Sequence, residues 1–406
     1  MKRILIAAGC ATVLALPAMA AAETLHAPAK PAPGPQRGAV VSVQPIESLS
    51  VKKTGAYFGQ VWKAFDMGAP PKATHGVTAY RIVYRTIDAA GRPTTASGLL
   101  ALPRTGAHRV RTVAYLHGTN PTKKAVASMT RLGDRAVSYL FASRGFGTIA
   151  PDYLGLGLGP GRHPYMHHAS EATAARDLLR AAGHVAAGHG RTLGRKVNVT
   201  GFSQGGPAAM AFARGLQGER RLGALAPVSG PYAVEDAQLP EALHGKRLDP
   251  RESVFYLGYW TTAMNRLYGF YRSPSEAFRK PYDQVVERLF DGTHPAEEIA
   301  RKLPASPDKL LTPAFARRLD APTGRLADAM RDSDHTCGWA PRVPVRIYDA
   351  RGDKEVSPLN SESCRLALRA RGVRAKLIDV GNVQHNPSAF RAMPHIATWF
   401  AGLTGS

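Results

Sequence analysis

The pentad Gly201-Phe202-Ser203-Gln204-Gly205 follows the β-branched run Val197-Asn198-Val199-Thr200 and precedes small, helix-compatible residues. A strand that turns sharply at a serine and leaves as a helix presents that hydroxyl as a nucleophile. Gly201 and Gly205 carry no Cβ to clash as the chain doubles back. The backbone N–H of Gln204 then faces the space before the serine oxygen, where an oxyanion develops. A serine hydroxyl is a poor nucleophile near neutral pH. It needs a histidine to take its proton and a carboxylate to orient that histidine. Both types follow downstream. Asp353 sits in the turn after Ile347-Tyr348-Asp349-Ala350-Arg351-Gly352, with Asp349 as the alternative acid. His385 follows in Val383-Gln384-His385-Asn386-Pro387, ahead of His395 and better placed than His335, which sits beside Cys337. The loop His117-Gly118-Thr119 supplies a second oxyanion donor, the backbone N–H of Thr119. His163, His167 and His168 also cluster, but no carboxylate or cysteine stands at ligand spacing. They read as a loop-to-helix boundary, and no metal or cofactor is expected.

The surrounding patterns supply elements to hold these residues. Residues 77–88 and 94–102 alternate on either side of Ala89-Ala90-Gly91, an antiparallel hairpin. After it, short apolar strands alternate with helical patterns: strands near 112–116, 146–150, 197–202, 222–228, 343–348 and 375–380, helices near 170–185 and 389–400. Such alternation implies an α/β fold with a mostly parallel sheet and helices on both faces. Ser203, Asp353, His385 and the His117-Gly118-Thr119 loop each fall at the C-terminal end of a strand, where ligands bind in such sheets.

Composition narrows the setting. Lys2 and Arg3, the apolar run from Ile4 to Leu16 and Ala18-Met19-Ala20 read as a cleaved signal peptide over residues 1–22, so export to the periplasm or beyond is expected. Cys10 belongs to its apolar stretch. The remaining cysteines, Cys337 and Cys364, read as a disulfide in an exported protein. Residues 23–50, rich in Pro and Ala, read as an extended leader. The formal net charge of +23 suits transient contact with anionic or lipid surfaces. Its charges are scattered, and without a basic-aromatic array no nucleic acid is expected as partner.

Taken together, the chain resembles the α/β hydrolases, and more narrowly the secretory lipase family of fungi and bacteria. The resemblance is carried by Tyr115 to Thr119, Asp152-Tyr153-Leu154-Gly155 with the following Tyr165, Gly201 to Gly206, Ile347 to Pro358 and the loop around His385. It implies an α/β-hydrolase fold, a Ser203–Asp353–His385 triad, no cofactor, and hydrolysis of a small-molecule ester or lipid through an acyl-enzyme. It also implies a core over residues 51–234 and 341–406 that brackets a helical cap at 235–340. Within the cap, Phe255, Tyr259, Ala263, Leu267 and Tyr271 recur every fourth residue, with Trp260 and Met264 beside them. Such a stripe packs against the core, and Phe255, Tyr259, Trp260 and Met264 are the candidates for lining an acyl pocket. Two rival readings use the same fold. An exported peptidase would capture an amine terminus, for which Glu235 and Asp236 are placed; a binding protein would have kept the fold without catalysis.

Overall fold

In the computed structural model, which describes residues 36–219 and 221–403, the chain enters its sheet earlier than expected. β1 (Val40–Leu49) pairs antiparallel with β2 (Gly76–Ile87), so the leader reading fails for residues 40–49. The reason is physical: β1 is an edge strand with most side chains exposed, held by backbone pairing that leaves no apolar alternation to read. The expected signal peptide and the first part of the leader lie outside the described residues.

β2 pairs along its whole length with β3 (Pro93–Arg104), the expected hairpin. β3 meets β5 (Phe146–Pro151) antiparallel, and from there the sheet is parallel through β4 (Arg109–Leu116), β6 (Thr192–Phe202), β7 (Leu222–Val228), β8 (Arg346–Asp349) and β9 (Lys376–Asp379). The strand order is β1-β2-β3-β5-β4-β6-β7-β8-β9. This is the mostly parallel sheet that the alternation implied, in the α/β-hydrolase form that the resemblance implied.

Two apolar layers cover the sheet. On one face lie α1 (Val51–Ala64), α2 (Asp134–Ser143) and the closing helix His385–Gly402, sharing a core that includes Phe58, Trp62, Phe141 and Phe400. α1 starts where the Ser50 hydroxyl accepts the Lys53 N–H, and its stripe of Tyr57, Phe58, Val61 and Trp62 is buried. On the other face, α3 (His168–Gly188), α4 (Gly205–Gly218) and the helix Leu359–Arg369 pack with Cys337 and Trp339. The Cys337–Cys364 disulfide ties that last helix to the segment leading into β8.

Between β7 and β8 the described chain is helical, with its own apolar cluster. Its longest member is Pro250–Tyr268, opened by Asp249 accepting the Arg251 N–H and by Pro250 in the first turn, and ended by Gly269 at φ +64°. Tyr165 and Met166, outside this segment, belong to the same cluster and join it to the sheet edge. Among the described residues no helix is long and apolar enough to cross a membrane.

Candidate active site

Ser203 stands between β6 and α4 at φ +54°, a left-handed conformation costly for a residue with a side chain. The two glycines permit it. A Cβ on Gly201 would strike the Gly205 carbonyl, and one on Gly205 would strike the carbonyl oxygens of Leu116 and His117. The turn is therefore wedged against the end of β4, with Ser203 buried at the base of a cavity.

His385 opens the closing helix and is also buried. Its Nδ1 meets Asp353 Oδ2 at 2.6 Å. The other Asp353 oxygen accepts the backbone N–H groups of Glu355 at 2.8 Å and Val356 at 3.0 Å, which fixes the carboxylate in its turn. The alternative acid, Asp349, ends β8 without this contact. Burial and the neighbouring carboxylates of Asp379 and Asp353 push it up to about 6. His335 and His395 are exposed. Burial by itself would depress the His385 pKa, but the Asp353 carboxylate reverses this, so the imidazole lies above its ordinary value. His385 Nε2 is buried without a hydrogen-bond partner among the described residues, and Ser203 lines the same cavity.

The loop after β4 carries Gly118 and Thr119 into the lining of that cavity. It is braced from several sides. The Tyr153 hydroxyl donates to the His117 carbonyl at 3.2 Å, Thr119 Oγ1 and the Tyr165 hydroxyl meet at 2.9 Å, and the Tyr259 hydroxyl donates to the Asn120 carbonyl at 3.2 Å. Gln204, the residue after the serine, begins the first turn of α4, where backbone N–H groups lack intrahelical acceptors.

Two cavities meet at Ser203. The smaller, about 60 Å³, is lined mostly by apolar groups including Met166, Leu257, Trp260 and Val356. The larger, about 390 Å³, is lined by Thr119, Asn120, Asp134 and His385 among others. Of the four cap residues expected at a pocket, Trp260 lines the smaller cavity. Phe255, Tyr259 and Met264 are not brought there; they fill the core of the helical segment, Tyr259 stacked between Tyr165 (4.2 Å) and Phe290 (4.7 Å). Sequence periodicity finds a buried stripe but does not tell cavity wall from core, because both are apolar. Glu235 and Asp236 line neither cavity, and Asp236 is exposed.

The histidine cluster has a role that periodicity did not suggest. His163 and His168 are buried behind the elbow with Glu171 and the Gln204 side chain. Glu171 lies three residues after His168 on α3, so a carboxylate does stand within reach of the cluster, contrary to the sequence reading; His163 and Gln204 join it only in the folded chain. Among the described residues no group of three or more His, Cys, Asp or Glu could hold a metal.

No family model matches this chain, and no curated protein matches it in sequence. Solved structures do. The rice cell wall degrading esterase LipA from Xanthomonas oryzae, in a ligand-bound form, superposes with a TM-score of 0.77 at 26% identity over 91% of this chain and 99% of that one. A protein of Legionella pneumophila described as a candidate hydrolase gives 0.79 at 23% identity, over 90% and 99% of the two chains. Candida antarctica lipase A gives 0.62 at 12% identity, over 86% and 78%. The last two establish the fold. With the esterase they support a hydrolase of lipase-like α/β-hydrolase architecture.

Proposed function

We propose that this α/β hydrolase is an exported serine esterase or lipase that cleaves carboxylic esters with Ser203, His385 and Asp353. The observation that carries the reading is the buried 2.6 Å contact between His385 and Asp353 beside an elbow serine that lines the same cavity.

In the reaction, His385 Nε2 takes the Ser203 proton as Oγ bonds to the ester carbonyl carbon and the carbonyl π pair moves onto oxygen. The backbone N–H groups of Gln204 and Thr119 stabilise that oxyanion. Its collapse breaks the bond to the alkoxide, which takes the proton from His385 and leaves as alcohol. Water then repeats the sequence on the acyl-enzyme, with His385 as base, and releases the acid. Asp353 stays ionised throughout; it fixes the tautomer and supports the imidazolium. No cofactor enters. Export follows from the N-terminal segment, and the Cys337–Cys364 bridge is compatible with it.

Hydrolysis of p-nitrophenyl butyrate tests the reading. Ser203→Ala is expected to abolish turnover, and Asp353→Asn to lower kcat by roughly 10³- to 10⁴-fold. A Ser203→Ala protein with wild-type kcat would remove the serine from the mechanism. The peptidase reading lacks a carboxylate at the cavity from Glu235 or Asp236. Turnover of aminoacyl anilides in preference to every ester would restore it.

A further inference from the structure

The two cavities at Ser203 differ in one respect that assigns them. The departing alkoxide must lie against His385 Nε2 to receive its proton. His385 lines the larger cavity and not the smaller one. The alcohol part of the ester therefore belongs in the larger cavity, and the acyl chain in the smaller apolar one.

One wall of it, Trp260, is held from behind by a continuous buried chain of hydrogen bonds. Trp260 Nε1 donates to Ser333 Oγ at 2.9 Å. The Ser333 carbonyl faces His168 Nε2 at 3.2 Å, and His168 Nδ1 faces Glu171 Oε2 at 2.7 Å. Both ring nitrogens thus face oxygen acceptors, so both bonds are made when each carries a proton. The other Glu171 oxygen accepts from Gln204 Nε2 at 2.6 Å. The second hydrogen of that amide points to His163 Nε2 at 2.8 Å, which leaves the His163 proton on Nδ1, donating to the Leu154 carbonyl at 2.9 Å. Burial lowers His163 to about 4, in keeping with a neutral acceptor ring. Glu171 would be raised by burial, yet His168 holds it below the usual carboxylate range. The chain starts on the residue next to the nucleophile and ends on a wall of the acyl cavity. Helix Gly324–Asp332 immediately precedes Ser333, so the chain also crosses from the sheet edge into the helical segment.

We propose that the smaller apolar cavity takes the acyl chain, and that Glu171 and His168 are positioning residues that set the acyl-length preference by fixing Trp260 through Ser333 and anchoring it to Gln204. The inference rests on the ester-hydrolase reading above.

The test is a p-nitrophenyl ester series from acetyl to palmitoyl. Wild type is expected to show a chain-length optimum and to fall roughly tenfold or more on chains well beyond it. Trp260→Ala should move the optimum to longer chains. Ala242→Leu, which fills the cavity from a half-buried position, should move it to shorter ones. The double variant Glu171→Gln/His168→Phe removes the buried His168–Glu171 contact as a unit, and neither residue lines the cavity. It should broaden the profile toward longer chains, a change that a stability defect alone does not produce. If it does not fold, Ser333→Ala, which removes only the acceptor of Trp260 Nε1, carries the same expectation. A Trp260→Ala protein with the wild-type optimum overturns the acyl assignment. A folded double variant, or Ser333→Ala, with the wild-type profile overturns the positioning role. Failure of wild type to hydrolyse any ester, with no labelling of Ser203 by a phosphonate, would instead sink the ester-hydrolase reading itself.

Discussion

Three carboxylates set the protonation of His385. Asp353 is bonded to Nδ1, and the charges of Glu355 and Glu252 act from further away. All three favour the imidazolium and outweigh burial, so the imidazole is held above its usual 6.5. The base must be neutral to accept the serine proton. kcat/KM is therefore expected to rise with pH along a limb centred above 6.5. Glu252 is itself pushed up to about 7 by burial and by the charges of Glu355 and Asp249, so its own charge appears over the same range. Glu252→Gln removes a charge that stabilises the imidazolium; the limb should move to lower pH by a few tenths of a unit, read from pH–rate profiles. A limb that moved to higher pH would contradict this electrostatic account. That His385 bonds to Asp353 rather than Asp349 was legible from turn position. The acidic neighbour Glu252 was not, because it arrives from the long helix Pro250–Tyr268, far from the acid turn in sequence.

At the scale of elements, the site depends on how closely β4 and the elbow approach. Gly205 sits where any Cβ meets the Leu116 and His117 carbonyl oxygens, which are rigid backbone at the end of β4. Gly205→Ala is expected to cost about 1–3 kcal/mol, measured by denaturant unfolding, and to displace the oxyanion loop enough to reduce kcat. An unchanged unfolding midpoint would show that the approach is looser than drawn. The stretch after β5 explains its own sequence in the same way. Asp152 is buried and accepts the hydroxyls of Ser97 at 2.6 Å and Ser128 at 2.5 Å, tying β3 to the loop before α2, while Tyr153 braces His117. Strands β4 to β7 were readable because they are buried and apolar on both faces. β1 was not, since an exposed edge strand carries no such pattern. Cap residues fell between these cases: Trp260 and Tyr259 have the same apolar signature one position apart, and only packing sends one to the cavity and the other to the core.

Across the whole molecule, the disulfide joins residues 27 apart and fastens the end of the helical segment to the sheet side of the core. Replacing Cys337 and Cys364 together with serine should lower unfolding stability by about 3 kcal/mol, followed by denaturant titration against the oxidised protein. An unchanged stability would mean that the bridge constrains nothing that packing does not already fix. The excess of positive charge is spread over the chain, so it bears on surface encounters more than on the buried site. The central claim concerns one oxygen atom in that site. Its most direct test is to treat the protein with diethyl p-nitrophenyl phosphate and map the adduct by peptide mass spectrometry while following ester hydrolysis. The account predicts a single diethyl phosphoryl group on Ser203, loss of activity in step with labelling, and no adduct in Ser203→Ala. Labelling confined to another residue, or ester hydrolysis that persists in a fully labelled protein, would contradict it.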